Sequence, residues 1–384
     1  MGALNNNEQE ATILKVGVFH PSFHNYGGGE LVALVVTNTL ARNGYDVELF
    51  VGKKLQQAQI KKMLGEEIAS SVKITIKSSF TRPGDSFDLF PTITNSFTLK
   101  SKCDILIDTY SNCIFPWTDI SYIHFPFLND YDYRTNFPYL KCRQIRFVLG
   151  LPYFVYAKKL QNYDDKLIIA NSKFTANIIK KFVNVNVKVI YPPVPSTLFN
   201  ERLGGFANNP REDLVVTVSR FSADKGLEKI PYIAKLTKSN IKFILIGLLH
   251  DLKVYDSIIQ NIASLGLTER VKVVADAPKE ELESILRRAK VYFHTRIGEH
   301  FGISIAEAMA AGCIPVVHNS GGMKEFVPAK YRYENLQDSA RKIETAMREW
   351  SPEKAETMNK IVRQFSESNF SKNFIEAFSL YLEQ

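Results

Sequence analysis

The sequence predicts an α/β protein made of two doubly wound parallel-sheet domains that face each other across a cleft. Buried-strand patterns alternate with helical patterns along the chain, and the alternation starts again after a proline-rich segment at 192–195. The length of 384 residues is enough for two domains of ordinary size. Ligands of such sheets bind at the carboxyl ends of the strands, where loops meet helix N-termini.

The first half opens with a strand, a glycine-rich bend, a helix and a second strand. Their sequences are ILKVGVF at 13–19, ELVALVVTNTLARNGY at 30–45 and DVELFVG at 46–52. This βαβ unit predicts a parallel sheet with helices on its faces. Further strands are predicted at 72–76, 103–109, 120–125 and 166–171. Ser172 then occupies the position of an N-cap before a helix at 173–182.

Three prolines between 192 and 195 force an extended segment and mark the predicted domain junction. The first Rossmann-like domain is therefore assigned to residues 1–195 and the second to residues 196–364. In the second domain, strands are predicted at 213–220, 242–247, 270–275, 290–295 and 314–319. Helices are predicted between them around 226–238, 252–265, 279–289 and 302–312.

Composition and charge narrow the class of protein and its compartment. The formal charge of +8 and the pI near 9.0 favour anionic partners, such as phosphates, nucleic acid or an acidic membrane surface, with simple solubility as the alternative. Four scattered cysteines without a C-x-x-C pair argue against a zinc site or a disulfide framework and favour a reducing compartment. The N-terminus lacks a signal-peptide layout and no run of apolar residues is long enough to span a bilayer, so a cytoplasmic protein is expected.

The stretch GEHFGISIAEAMAAGCIPVVHNSGG at 298–322 holds two carboxylates around a strand-to-helix turn. The backbone amides of residues 300–303 fall at the first turn of the predicted helix, where unpaired N–H groups suit a phosphate. Glu299 precedes that turn and Glu307 lies about one turn into the helix. Two such acceptors suit the vicinal hydroxyls of a sugar and a ribose. The alternative is that Glu299 is a capping carboxylate and Glu307 lies on a solvated face.

This stretch resembles the signature of family-four retaining glycosyltransferases of the GT-B fold. The shared pattern is a Glu, Phe-Gly, a second Glu eight positions after the first, Ala-Met-Ala, a Gly and Pro-Val-Val. Other segments resemble the family along most of the chain: YGGGELVALVVTNTLARNGYDVELF, YIHFPF, ANSKFTANIIKKF and VSRFSADKG. The forms HFGIS, HNSGG and IHFP are similar in particular to the α-1,2-mannosyltransferases that extend dolichol-linked oligosaccharides.

The resemblance implies transfer of a hexose, with mannose favoured, from a GDP- or UDP-linked nucleotide sugar to a hydroxyl of a glycan or polyprenyl-linked saccharide. It also implies retention, no metal ion and no cofactor. No nucleic-acid-binding module is recognised in the sequence, so no nucleic-acid partner is expected. The acceptor would bind the first domain and the donor the second, with a helix at about 365–384 crossing back to the first domain. The alternatives are transfer to a soluble acceptor, a non-catalytic nucleotide-sugar-binding subunit, and a phosphorylase or sugar-phosphate synthase.

The resemblance also implies roles for individual residues. Arg220 and Lys225 would stabilise the leaving diphosphate and are expected to be exposed to the cleft, while His124 would approach the transferred sugar. Glu299 would contact the sugar and complete the catalytic set, and Glu307 would hold the ribose. Donor binding would also use the loops that contain Gly28, Gly29, His300, Phe301, Gly302 and Ile303. Gly321, Gly322 and Glu325 match a Gly-Gly-x-x-Glu element that would shape the diphosphate pocket.

Three further segments qualify this assignment. The family's junction often reads Pro-Pro-x-Asp, but Ser196 follows Pro195 here, so that aspartate is absent. The DYD triplet at 130–132 is interpreted as a loop and not as a metal motif. The segment 131–160 mixes aromatic and basic residues, which suits a lipid headgroup interface or single-stranded nucleic acid, with an ordinary half-buried helix pair as the alternative. An anionic surface on the cytoplasmic membrane face is therefore a candidate partner.

Overall fold

Two parallel sheets, of seven and six strands, form the frame of the molecule. The computed structural model describes residues 13–21, 23, 26–77, 97–115, 117–126, 163, 165–199, 206 and 211–384. Helices cover the faces of both sheets, and each sheet has its own hydrophobic core. The predicted fold class, two doubly wound α/β domains, is confirmed. The segments 130–132 and 131–160 lie outside the described residues.

The first sheet has the strand order β3-β2-β1-β4-β5-β6-β7, and each neighbouring pair is parallel. Its strands are β1 Lys15–Phe19, β2 Asp46–Val51, β3 Lys73–Ile76, β4 Ile105–Asp108, β5 Ile120–Ile123, β6 Leu167–Ala170 and β7 Val187–Val189. The described helices of this domain are α1 Gly28–Arg42, α2 Gln57–Leu64 and α3 Lys173–Phe182. As predicted, the Ser172 hydroxyl caps α3 by accepting a hydrogen bond from the Thr175 amide.

The second sheet has the order β10-β9-β8-β11-β12-β13. Its strands are β8 Glu212–Val218, β9 Lys242–Gly247, β10 Val271–Ala275, β11 Ala289–Phe293, β12 Ile314–His318 and β13 Arg332–Tyr333. The helices that follow are α4 Ile230–Leu236, α5 Leu252–Ser264, α6 Lys279–Arg288, α7 Ile303–Ala310, α8 Leu336–Glu349, α9 Pro352–Val362 and α10 Glu367–Leu382. The carboxyl ends of the central strands β8 and β11 therefore share one edge of this sheet, and the predicted site residues follow them.

The last helix, α10, packs against the first domain. Phe370, Phe374 and Phe378 are buried in the core of the first sheet, with the leucines and valines of α1. The Thr39 hydroxyl of α1 donates a hydrogen bond to Ser371 at 2.8 Å. Within the described residues, no helix is both long and apolar enough to cross a bilayer.

Candidate active site

The site is built around the loop that connects β11 to α7. Gly298 and Gly302 both have positive φ angles, of 72° and 91°, so the chain can reverse direction twice within five residues. Gly302 is the N-cap of α7, and an added Cβ there would lie 2.5 Å from the Ile305 side chain. Ile305 is the first residue of α7 whose amide bonds to the Gly302 carbonyl oxygen, at 3.0 Å. The amides of Ile303 and Ser304 come before the hydrogen-bonded part of the helix, so this end of α7 favours an anionic ligand.

The carboxylate of Glu299 lies at the centre of a buried charge cluster in this loop. Its Oε2 atom is 3.1 Å from Lys225 Nζ, 3.3 Å from His294 Nε2 and 3.7 Å from Arg296 Nη1. Burial raises the pKa of Glu299, but Lys225 and Arg296 outweigh it and hold the pKa well below its usual value. Glu299 is therefore ionised at neutral pH.

Lys225 is less accessible than the sequence predicted. Its side chain is only 14% exposed, whereas the prediction placed it open to the cleft. The Thr295 hydroxyl donates a hydrogen bond to its carbonyl oxygen at 2.6 Å, which holds the turn after β8 against the end of β11. Burial lowers the pKa of Lys225 more than Glu299 raises it. The correction follows from this pairing, because Glu299 draws the ammonium group inward.

Asp224 is a second anion of the same cluster. It accepts a hydrogen bond from the Ser222 hydroxyl at 2.6 Å and lies 3.6 Å from Arg296 Nη1. Burial raises the pKa of Asp224, but the charges of Lys225 and Arg296 lower it by more, so the net shift is downward. Two cations thus alternate with two carboxylates. The ring of His294 is buried beside them, and burial lowers its pKa.

Glu307, in the second turn of α7, is paired with a residue that the sequence analysis did not select. Lys279 Nζ, at the start of α6, is 2.6 Å from Glu307 Oε1, and both side chains are almost fully buried. The interpretation of Glu307 as part of a solvated face is therefore wrong. Its predicted role on a ribose stays a prediction.

Arg220 lines a cavity between the two domains. The cavity has a volume of about 370 Å³ and is bounded by Tyr26, Gln59, Lys62, Met63, Arg220, Leu248, Leu249, His250 and Asp276. The first domain contributes Tyr26 and part of α2, and the second contributes the loops after β8, β9 and β10. Arg220 follows β8 by two residues, so its position at the carboxyl edge of the sheet agrees with the prediction.

The glycine-rich turn of the first domain faces α7 across the cleft. The Gly27 amide donates a hydrogen bond to Glu30 Oε2 at 3.0 Å, and this closes the first turn of α1. An added Cβ at Gly28 would overlap the end of the Ile303 side chain. An added Cβ at Gly29 would meet only His124 and His20, at 3.7 Å or more. The N-termini of α1 and α7 therefore meet at Gly28.

His124 lies half-buried just after β5. The Asn112 side chain accepts a hydrogen bond from its amide at 2.8 Å, and the Asn171 side chain donates to its carbonyl at 2.7 Å. Its Nε2 atom is 3.2 Å from the Thr109 carbonyl oxygen. Burial lowers the pKa of His124 to about 4, so the ring is neutral at pH 7 and Nε2 carries the proton that it donates to Thr109.

Residues 300–303 contribute to the site through the main chain more than through their side chains. The ring of Phe301 packs in an aromatic cluster with Tyr191, Phe326 and Phe365, and is buried. The carbonyl of His300 accepts a hydrogen bond from Ser172 at 2.7 Å. This leaves the backbone of Gly302 and Ile303 as the part of the segment suited to a ligand.

The sequence analysis missed Asp224, His294, Arg296 and Lys279. His294 and Arg296 do carry a local signal, because they directly follow the buried strand β11 at the carboxyl edge of the sheet. Asp224 is next to Lys225, but only the fold brings it within 4 Å of Arg296. Lys279 lies 28 positions before its partner Glu307, and no short-range pattern links the two.

Comparison with solved structures identifies the fold. The structure superposes on sucrose-phosphate synthase from Thermosynechococcus elongatus with a TM-score of 0.73 at 15% identity, covering 97% of this chain and 100% of that one. It superposes on the Anabaena protein HepE in complex with UDP and glucose with a TM-score of 0.68 at 19% identity, covering 95% and 99%. The chain therefore has the GT-B fold. Residues 203–365 match the family described as Glycosyl transferases group 1.

The sequence is also similar to those of named mannosyltransferases. The chain is 29% identical over 235 residues to the GDP-Man:Man(3)GlcNAc(2)-PP-Dol α-1,2-mannosyltransferase of Dictyostelium discoideum, covering 55% of this chain and 46% of the relative. It is 28% identical over 234 residues to the human protein of the same name, covering 53% and 46%. The chain thus spans about half the length of these curated relatives. The predicted resemblance to the α-1,2-mannosyltransferases that extend dolichol-linked oligosaccharides is confirmed.

Proposed function

We propose that this chain is a retaining glycosyltransferase that moves a hexose, with mannose favoured, from a nucleotide-diphosphate sugar to a hydroxyl of a glycan or polyprenyl-linked saccharide. The relatives named as GDP-mannose-dependent transferases to a dolichol-linked acceptor support this choice of donor and acceptor. The observation that carries the proposal is the buried Lys225–Glu299 pair at the N-terminus of α7. In this proposal, a cation, a carboxylate and the main-chain amides at the start of α7 act together at one point of the cleft.

These groups suit the departure of a nucleoside diphosphate. When the bond from the anomeric carbon to the diphosphate breaks, negative charge grows on the phosphate oxygens. Lys225, Arg220 and the first-turn amides of α7 supply positive charge and hydrogen-bond donors for that charge. A neutral His124 tolerates the positive charge that develops on the sugar, since the ring carries no charge of its own at pH 7. Glu299 would orient the sugar hydroxyls.

The two glutamates provide the first test of this arrangement. Glu307→Ala should weaken binding of the free nucleoside diphosphate, because it removes the proposed ribose acceptor. Glu299→Ala should leave that affinity nearly intact and abolish transfer, because it removes only the proposed sugar contact. Titration calorimetry with GDP and with UDP measures the affinities, and release of the diphosphate measures turnover. The reverse pattern would exchange the two roles.

Retention and independence from metal ions are parts of the same proposal. NMR of the product should show the same anomeric configuration as the α-linked donor. Turnover should survive treatment with EDTA, because the cations of Arg220 and Lys225 take the place of a metal on the diphosphate. An inverted product, or activity that depends on an added divalent cation, would contradict these parts. Binding of the donor without any hydrolysis or transfer would favour the non-catalytic nucleotide-sugar-binding alternative.

The acceptor is proposed to be presented at an anionic membrane surface on the cytoplasmic side. The basic and aromatic composition of segment 131–160 supports this, at about 1 kcal/mol for each basic residue near an anionic surface. Replacing Lys141, Arg143 and Arg146 with Glu should reduce co-sedimentation with anionic liposomes and spare transfer to a short soluble acceptor. Added salt should reproduce part of the loss. A wild-type chain that does not bind such liposomes at low salt would favour a soluble acceptor.

A further inference from the structure

Glu325, in the second domain, makes its hydrogen bonds to the first domain and to the linker. Its carboxylate accepts hydrogen bonds from the backbone amides of Phe174 at 2.8 Å and Lys173 at 3.1 Å, the first two residues of α3. It also accepts one from the Tyr191 hydroxyl at 2.9 Å, in the segment that connects the domains. A carboxylate at a helix N-terminus satisfies unpaired amides and meets the positive end of the helix dipole.

The segment that carries Glu325 is joined to the loop of Glu299. The Gly322 amide donates a hydrogen bond to the Glu299 carbonyl oxygen at 2.9 Å. An added Cβ at Gly321 would overlap the main chain of Glu299, and one at Gly322 would overlap the main chain of His300. Such close packing of two backbones transmits a displacement of one segment to the other.

A second contact between the domains lies beside the first. The Ser172 hydroxyl, which caps α3, donates a hydrogen bond to the His300 carbonyl oxygen at 2.7 Å. The end of α3 is thus bound to the second domain on both sides of the Glu299 loop. On one side, Glu325 of the 322–325 turn accepts hydrogen bonds from the first amides of α3. On the other side, Ser172 donates to the carbonyl of His300, the residue that follows Glu299.

We propose that Glu325 is a positioning residue that clasps the N-terminus of α3 and so couples closure of the two domains to the placement of Glu299. This inference rests on the function proposed above, since it assigns Glu299 to the sugar. Separating the domains would break the charge-assisted bonds from Lys173 and Phe174 and release the 321–322 turn that supports Glu299. When these hydrogen bonds are formed, the first domain and the loop of Glu299 are held in one relative arrangement. Glu325 itself would touch neither donor nor acceptor.

The test compares Glu325→Ala with Tyr191→Phe and with a matched control, Glu334→Ala. Tyr191→Phe removes one bond to Glu325 and keeps the aromatic packing. Glu334 is an exposed glutamate of the same domain whose carboxylate binds only Asn319 in the described structure, at 2.6 Å. Each variant is assayed for kcat and KM with the nucleotide sugar, for calorimetric affinity toward the free nucleoside diphosphate, and for amide hydrogen exchange.

Glu325→Ala should lower kcat by about tenfold or more, while affinity for the free diphosphate stays within about twofold, because the donor groups of the second domain remain. Hydrogen exchange should accelerate both at 173–176 and at 299–303. Tyr191→Phe should show a smaller change in the same direction, and Glu334→Ala should match the wild type. A merely local cap would speed exchange at 173–176 alone and leave kcat unchanged, which would overturn the proposal.

Failure of the two proposals can be told apart. If the wild-type chain turns over no nucleotide sugar, the proposed function fails; faster exchange at 299–303 in Glu325→Ala would still support the structural coupling. If the wild type is active and Glu325→Ala keeps both its kcat and the slow exchange at 299–303, the clasp is refuted while the transferase stands.

Discussion

Glu299 is buried and charged at the same time because two cations lie within 4 Å of its carboxylate. A buried ion pair costs desolvation, and its net contribution to stability is small compared with the cost of removing one partner. The cluster of Asp224, Lys225, Arg296 and Glu299 is therefore expected to contribute mainly to placing charge at the cleft. Lys225 and Glu299 were selected from the sequence, whereas Asp224 and Arg296 were not, although Arg296 carries a local signal just after β11.

The first prediction concerns the two cations of the predicted basic pair. Arg220→Ala and Lys225→Ala should each lower kcat/KM by about 10², the usual loss when one donor to a developing charge is removed. Lys225→Ala should also lower the free energy of unfolding by about 2 kcal/mol or more, because it leaves Glu299 with one partner fewer in a buried site. Kinetics and urea unfolding measure the two effects separately.

Arg220→Ala is the control for stability, since Arg220 borders an open cavity. Its free energy of unfolding should stay within about 0.5 kcal/mol of the wild type. The double variant Lys225→Ala with Glu299→Gln should recover stability without recovering activity. Equal stability of the two single variants would mean that the buried pair does not have the energetics assigned to it.

His124 provides a prediction about pH. Burial lowers its pKa to about 4 from the ordinary 6.5. As the pH falls through that window, the unfolded chain binds a proton that the folded chain does not, so the free energy of unfolding decreases. His124→Gln keeps a donor for the Thr109 carbonyl and removes the titration. Thermal unfolding at several pH values in this window should show a shallower decrease for the variant, and equal slopes would contradict the assignment.

At the scale of elements, the site forms where two helix N-termini meet. The strand ends and helix starts were predictable, because buried runs such as KVYFHT and the glycines after them have clear local patterns. Helix α2 and the short strands β7 and β13 were not predicted. Strand β7 has only three residues and lies just before the prolines that mark the predicted junction, so its short pattern was not recognised as a strand.

Gly28 and Gly29, at the start of α1, provide a matched pair of substitutions that tests the contact between the two helix N-termini. Gly28→Ala must displace the end of Ile303 and with it the start of α7, whereas Gly29→Ala meets only ordinary van der Waals contacts. We expect Gly28→Ala to lower kcat/KM by about tenfold and Gly29→Ala by about twofold or less. Steady-state kinetics measures this difference. Equal effects would argue against contact of the two helix ends in the active form.

At the scale of the whole molecule, helix α10 binds the two halves together. It follows an isolated bridge between Val194 and Ser366, so both connections between the domains lie side by side. Its aromatic face completes the core of the first sheet, although it comes last in the chain. The resemblance to the family implied this crossing. The local pattern of the helix gives no information about which sheet it covers, because both cores are apolar.

Phe374 lies on the buried face of α10 and Leu380 on its exposed face, so substitutions at the two positions test which face anchors the helix. Phe374→Ala should lower the free energy of unfolding by about 3–5 kcal/mol, because it opens a cavity in a packed core. Leu380 is 55% exposed on the same helix, and Leu380→Ala should change stability by about 0.5 kcal/mol or less. Urea unfolding followed by fluorescence measures both. A similar loss for the two variants would show that α10 is not anchored by this face.

The central claim is that the cleft breaks the bond between a sugar and a nucleoside diphosphate. The most direct measurement is release of GDP or UDP from their mannose- and glucose-linked forms, for the wild type and for Glu299→Ala. The account predicts release by the wild type with at least one donor, favouring GDP-mannose, and loss of release in Glu299→Ala without loss of diphosphate binding. Release that is equally fast in Glu299→Ala, or a wild type that neither binds nor cleaves any of these donors, would contradict it.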